Sequence, residues 1–328
     1  MRVRALIPVL LLIGMLTPTA TAGGGDVPLV VTTIAPLASI VKDAFGGAVE
    51  VTYIIPPGAD PHEYQLSADQ ISLLERADVV VTTGGHLPVE KKIAELVKEG
   101  TIRGQVLFID DYKAEGFHYL PETWYHGKDN PHGVWLDPYN AISMAAATEG
   151  ALEKVDPART DLYRTDFQAF RARVLEVVKA YRAMVEGNRT AIIQMPPDEY
   201  AVHWLGVETV AAIKPEEEVP AVGVDTLLPK AEGVNLIVYG RNSPEQLKKA
   251  AEELSEKSGK PTAEITVFWA NKTYTDVLIE NTAAVLRALG GKPQVKMVQS
   301  RGNLTTYVFL SLLVGIMLGA AVGVILKR

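Results

Sequence analysis

The stretch VEVTYIIPPGADPHEYQLSADQISLLERADVVVTT, residues 49–83, contains one full repeat of the fold. Residues 49–55 are β-branched apart from Glu50 and Tyr53, and read as a strand. Pro56, Pro57 and Pro61 then fix φ, and Gly58 permits a turn closed to other residues. Ser67 is placed to cap a helix running to about Arg76. Residues 78–83 read as the next strand. Strand, rigid loop, helix and strand make a parallel unit whose sheet is covered by helices. The loop sits at a strand end and carries His62. An imidazole held in one place is what a metal ligand needs; a lone solvated loop histidine is the competing reading.

The alternation continues on both sides. Residues 27–33 read as a strand, and Pro36 starts a helix to Phe45. Residues 89–98 read as a helix and 105–109 as a strand, which completes one α/β lobe. A helical zone follows over 138–154. Asp156-Pro157 marks a new start, with Pro at the first helical position. The pattern then runs to about Glu186, where Gly187 ends it; a helix of about 29 residues would be about 43 Å long. A second alternating set follows, with strands at 190–194, 234–239 and 262–268 and helices at 199–205, 243–257 and 274–289.

The ends differ from the body. Residues 1–22 have a basic start, an apolar run and a small-residue Ala20-Thr21-Ala22 site, which reads as a signal peptide. Residues 307–326 are uncharged and long enough for a membrane-spanning helix, with Lys327 and Arg328 on its cytoplasmic side. The expected fold is therefore α/β, two α/β lobes with parallel sheets joined by a long rigid helix, plus a C-terminal transmembrane helix. Its parts are a signal peptide (1–22), an N-terminal lobe (23–155), a linking helix (156–187), a C-terminal lobe (188–290), a tether (291–306) and the span (307–326). That arrangement predicts an exported chain anchored in the cytoplasmic membrane with its ectodomain outside.

Composition narrows the chemistry. The chain has no cysteine, which excludes disulfides, thiolate metal sites and cysteine nucleophiles. All 39 acidic residues and all but seven of the 32 basic ones lie within 23–290, so that span carries −14. Such a body argues against a nucleic-acid partner. No His-Glu-x-x-His, Gly-x-Ser-x-Gly or phosphate-cradling Gly-rich loop is present, so the common enzyme signatures are missing.

Six histidines remain as candidates. His132 lies in Asn130-Pro131-His132-Gly133-Val134-Trp135-Leu136-Asp137-Pro138, a second rigid loop with proline before histidine. The two Pro-His loops either converge on one ion or are unrelated. His86 follows Gly84-Gly85 at a strand end, as a substitute or supporting ligand. His118 and His126 lie in the irregular stretch 116–130, where they either assist capture or are solvated. His203 sits in a short helix and reads as structural.

Pro56–Tyr64 with the following helix and Ala77-Asp78-Val79-Val80 resembles the first signature of zinc/manganese ABC-importer solute-binding proteins. Residues 131–138 resemble the second, and Thr273-Tyr274 with Asn281 resembles the C-terminal helix. The likeness spans roughly residues 28–290. It implies two lobes on a rigid helix, a metal in the cleft between them, and delivery to a permease driven by ATP hydrolysis elsewhere. It also implies four ligands. His62 and His132 match the two of the first lobe. Met195 stands where the family has His or Glu, and Thr266 falls near the place of its Asp. Asp198, Glu199 and Glu264 are substitute oxygen donors; acids at a helix N-terminus are also favoured without any metal.

The resemblance implies a protein that captures Zn2+ or Mn2+ and passes it to an ABC permease in the same membrane. Met195 beside two histidines would instead suit Cu(I), or would simply be a packed side chain. The alternative is a membrane-tethered accessory or interaction protein whose metal site has degenerated.

Overall fold

The computed structural model describes residues 27–216 and 219–290. Its first half runs β1 (Leu29–Ile34), α1 (Ala35–Phe45), β2 (Glu50–Ile55), α2 (Ala68–Arg76), β3 (Val79–Val81), α3 (Pro88–Lys98), β4 (Gln105–Leu107) and α4 (Ile109–Ala114). The strands form an all-parallel sheet in the order β2-β1-β3-β4. A two-stranded antiparallel strap follows, β5 (Leu120–Pro121) with β6 (Asp129–Asn130). Then come α5 (Pro138–Val155) and α6 (Thr160–Arg182).

The second half repeats the plan. It contains β7 (Arg189–Ile193), α7 (Pro197–His203), β8 (Val207–Ala212), α8 (Val224–Ala231), β9 (Leu236–Gly240), α9 (Glu245–Ser258), β10 (Thr262–Ile265) and α10 (Tyr274–Ala288). Its sheet is also parallel, in the order β10-β9-β7-β8. Apolar strand residues such as Val30, Val79, Val80, Ile192 and Ile237 are wholly buried, as sheets covered on both faces require.

Local signals account for the element ends. Ser67 accepts from the Gln70 N–H while the Gln70 side chain accepts from the Ser67 N–H, a reciprocal cap for α2. Asp137 caps α5 by accepting from Tyr139 and Asn140. Thr273 caps α10. Strand β8 and helices α4 and α8 form where the alternation gave weak signals; α8 even holds Pro229 inside it.

The linking segment is shorter than its pattern suggests. Pro157–Arg159 forms a 3-10 turn, and α6 then runs 23 residues, about 34 Å. It ends early because Met184 and Val185 donate three residues back, which tightens the last turn. Tyr163, Phe167, Phe170, Val174, Val178 and Tyr181 make its buried stripe. Burying such side chains stabilises the fold by roughly 1.5–3 kcal/mol each. Asp43 of α1 ties three helices together. It accepts from Arg173 of α6 at 3.1 Å and from Thr275 of α10 at 2.6 and 2.9 Å.

The membrane-spanning helix expected over 307–326 requires a correction. That stretch lies outside the described residues, as do 1–22 and 291–306. Among the described residues no helix is long and apolar enough to cross a membrane. The longest, α6, is amphipathic, with charged residues such as Arg164 and Arg173 between its buried positions. Among the described residues the fold is therefore two parallel α/β sheets with their helices, and none of those helices is a membrane span.

Candidate metal centre

Three loops at the carboxyl ends of the first sheet bring imidazoles together. In parallel α/β sheets this is the edge where ligands bind. His62 follows β2, His86 follows β3, and His132 precedes α5. Ring centroids are 5.3 Å apart for His62–His132, 5.5 Å for His86–His132 and 6.2 Å for His62–His86. Two imidazoles on a tetrahedral zinc, with Zn–N near 2.1 Å, have ring centres roughly 5 Å apart. The two shorter separations lie close to that figure, and the third is wider. All three rings are partly buried. Among the described residues no group of three or more His, Asp or Glu side chains is so placed that it could hold a metal ion as it stands.

Two of the loops use one device. The His62 N–H donates to Asp60 Oδ1 at 2.9 Å, and the His132 N–H donates to Asn130 Oδ1 at 3.0 Å. Each is an Asx-Pro-His turn in which the Asx side chain replaces a backbone acceptor. Gln70 steadies the first loop from α2 by donating to Tyr64 Oη and the Ile54 carbonyl, both at 2.8 Å. The shared Asx-Pro-His pattern was readable in the sequence and would have strengthened the pairing of the two loops.

His86 is held differently. Its Nδ1 lies 3.2 Å from Thr83 Oγ1, and Thr83 donates to the buried Glu90. Burial and the neighbouring His132 and His62 push the His86 pKa down to about 3. The ring is therefore neutral near pH 7, the form that binds metal. Burial pushes the Glu90 carboxyl up, against four hydrogen bonds that favour its charge.

The remaining candidates lie elsewhere. His126 is exposed and rests on Tyr125, with ring centroids 3.8 Å apart. His118 Nε2 stands 3.9 Å from Asp137 Oδ2. His203 is on α7, its pKa lowered by burial. Met195 is partly buried against the second sheet's core. Asp198 Oδ2 accepts from the Gln194 and Met195 N–H groups, both at 3.1 Å. Glu199 accepts from Trp124 Nε1 at 2.9 Å and Asn130 Nδ2 at 3.0 Å. Glu264 pairs with Arg241 at 3.3 Å. Thr266 is buried, and its backbone exchanges two bonds with the Asn281 side chain.

The histidine loops abut the second half. Tyr200 Oη accepts from the Leu120 N–H and donates to the Asn130 carbonyl, at 2.9 and 2.6 Å. Trp135 Nε1 donates to the Val267 carbonyl at 3.0 Å, and its ring meets Phe268. Gly133 has φ +75°, and a Cβ there would lie 2.5 Å from the Pro197 Cα. Only glycine allows that approach next to His132.

Residues 30–288 match the family model ZnuA, described as zinc-uptake complex component A, periplasmic. The chain belongs to this family. It is 28% identical over 180 residues to the metal ABC transporter substrate-binding lipoprotein SloC of Streptococcus mutans, covering 53% of this chain and 57% of that one. It is 26% identical over 246 residues to the zinc-binding lipoprotein AdcA of Streptococcus pneumoniae, covering 71% and 48%. The chain thus spans about half the length of these curated relatives. The crystal structure of a ZnuA deletion mutant with zinc bound superposes with TM-score 0.66 at 20% identity, covering 82% of this chain and all of that one. That likeness shows the shared fold. The family is one of transport components, not of enzymes.

Proposed function

We propose that the chain is an extracytoplasmic binding protein that captures a divalent transition metal, zinc before manganese, and hands it to an ABC permease. The observation that carries this reading is the triangle of His62, His86 and His132 at the carboxyl ends of the first sheet. Family membership supports the transport role. Relatives named for zinc and for manganese both occur, so the family alone does not choose the ion.

The donor set favours zinc. Three imidazoles suit zinc, whereas manganese prefers carboxylate, carbonyl and water. The nearby acids of the second half are already engaged with backbone, indole and amide donors. A water or one oxygen donor would complete a tetrahedral site.

The test is competitive titration of the purified protein with zinc and manganese at pH 7.5. One equivalent of zinc held at least about 100-fold more tightly than manganese is the expected result for an imidazole set. Equal affinity for the two ions would sink the assignment. Acidification should weaken binding, because bound imidazole must shed its proton.

A further inference from the structure

We infer that Thr83 and Glu90 are positioning residues for the metal ligand His86, fixing the tautomer that leaves its Nε2 lone pair free for the metal. The inference rests on the proposed role of His86 in metal capture.

The argument is a count of protons and lone pairs. Glu90, on α3, is fully buried. Its Oε1 accepts from the Thr83 N–H and from Thr33 Oγ1 at 2.7 Å. Its Oε2 accepts from the Gly85 N–H at 2.9 Å and from Thr83 Oγ1 at 2.8 Å. A carboxylate has about four acceptor sites, and four donors fill them. The single Thr83 hydroxyl proton is therefore directed at Glu90. What Thr83 Oγ1 presents to His86 Nδ1, 3.2 Å away, is a lone pair. Nδ1 must carry the proton to make that contact favourable. In a neutral ring the proton on Nδ1 leaves Nε2 as the free lone pair.

The geometry of the segment serves this arrangement. Gly84 and Gly85 have φ of +129° and +101°, which curl the chain so that residues 83, 85 and 86 all face the same carboxylate relay. The Thr82 hydroxyl accepts from the Gly84 N–H at 3.1 Å and closes the turn. A ligand imidazole oriented through its other nitrogen is a recurrent way to set ring direction and basicity. Here the carboxylate acts through an interposed hydroxyl, and His86 comes from the Gly-Gly-His turn.

The tautomer can be read without metal. Long-range 1H–15N correlation spectra of the metal-free protein at pH 7.5 should show His86 protonated at Nδ1, with the signal assigned by its loss in His86→Ala. Thr83→Val should shift the ring toward the Nε2–H form, and Thr83→Ser should restore it. Glu90→Gln, which offers an amide donor to Thr83, should also shift it and serves if Thr83→Val folds poorly. Zinc affinity should fall about 10–100-fold in Thr83→Val and recover in Thr83→Ser. That loss should vanish in a His86→Ala background. An Nε2–H ring in the unaltered protein would overturn the relay itself. Unchanged zinc affinity in His86→Ala would overturn the metal reading beneath it, whatever the tautomer. An equal Thr83→Val effect with and without His86 would make Thr83 merely structural.

Discussion

The two parallel sheets end in loops of opposite character. At the carboxyl ends of the first, His62 and His86 follow β2 and β3 on short, braced turns, and His132 joins them ahead of α5. At the same ends of the second, Met195 follows β7 and Thr266 follows β10. Met195 packs on apolar neighbours, and Asn281 holds the Thr266 backbone. One half gathers three imidazoles at its strand ends. The other spends its strand ends on contacts within the protein and against the strap. Fold position therefore marks where a ligand site can form, while the side chains decide whether it does.

The largest effect expected of this contrast is on metal affinity. His62→Ala/His132→Ala should weaken zinc binding by more than about 1000-fold, well beyond the 10–100-fold of an outer partner. Met195→Ala/Thr266→Val should change it by less than about 3-fold, since neither side chain is a preferred zinc donor. Isothermal titration with a competing chelator measures both. A large loss in the second pair would restore the second half as a ligand source and break the comparison.

Legibility followed the same division. The sheets were readable where a strand is a short apolar run, as in Val79–Val81, and a helix carries a start signal, as in the Ser67–Gln70 cap of α2 or Pro88 at the start of α3. His62 and His132 stood out because prolines stiffen their loops. His86 was less visible, since Gly84-Gly85 reads as flexibility until Thr83 and Glu90 are seen bracing it. No local signal reports that residue 90 of a helix lies beneath the end of a neighbouring strand. Glu199 looked like a free acid at a helix start. Its partners Trp124 and Asn130 are about 70 positions away in the chain, and pattern does not reach that far. The membrane span was drawn from hydropathy over residues that the structure does not describe.

The second expected effect is on stability against pH. Burial pushes the Asp198 pKa from 3.8 up to about 7. A carboxyl whose folded value is raised stays protonated in the fold while the unfolded chain ionises. Unfolding then releases a proton between about pH 4 and pH 7, and stability falls as pH rises through that window. Asp198→Asn keeps an acceptor for the Gln194 and Met195 N–H groups but does not titrate. Relative to the variant, the unaltered protein should lose stability between pH 4 and pH 8 by at most about 4 kcal/mol. Urea unfolding at several pH values checks this. A parallel pH dependence for both proteins would mean that Asp198 is charged in the fold, and so closer to a metal donor than the comparison allows.

The smallest effect concerns the join between the halves. Trp124 donates its indole N–H to Glu199 across the strap, and Glu199 is buried. Trp124→Phe keeps an aromatic ring and removes that donor. One carboxylate oxygen of Glu199 then loses its indole partner, while Asn130 still serves the other. Leaving a buried acceptor short of a partner costs about 1–3 kcal/mol, a fall in Tm of a few degrees for a chain of this size. Zinc affinity should stay within about 3-fold, because the proposed donors are imidazoles and Asn130 can still hold the His132 N–H when Trp124 is changed. Thermal unfolding and zinc titration of the same preparation separate the two effects. If affinity falls while Tm holds, the strap transmits the position of the second half to the His132 loop through Asn130, which bonds both Glu199 and the His132 N–H. The site would then belong to both halves despite its one-sided donors.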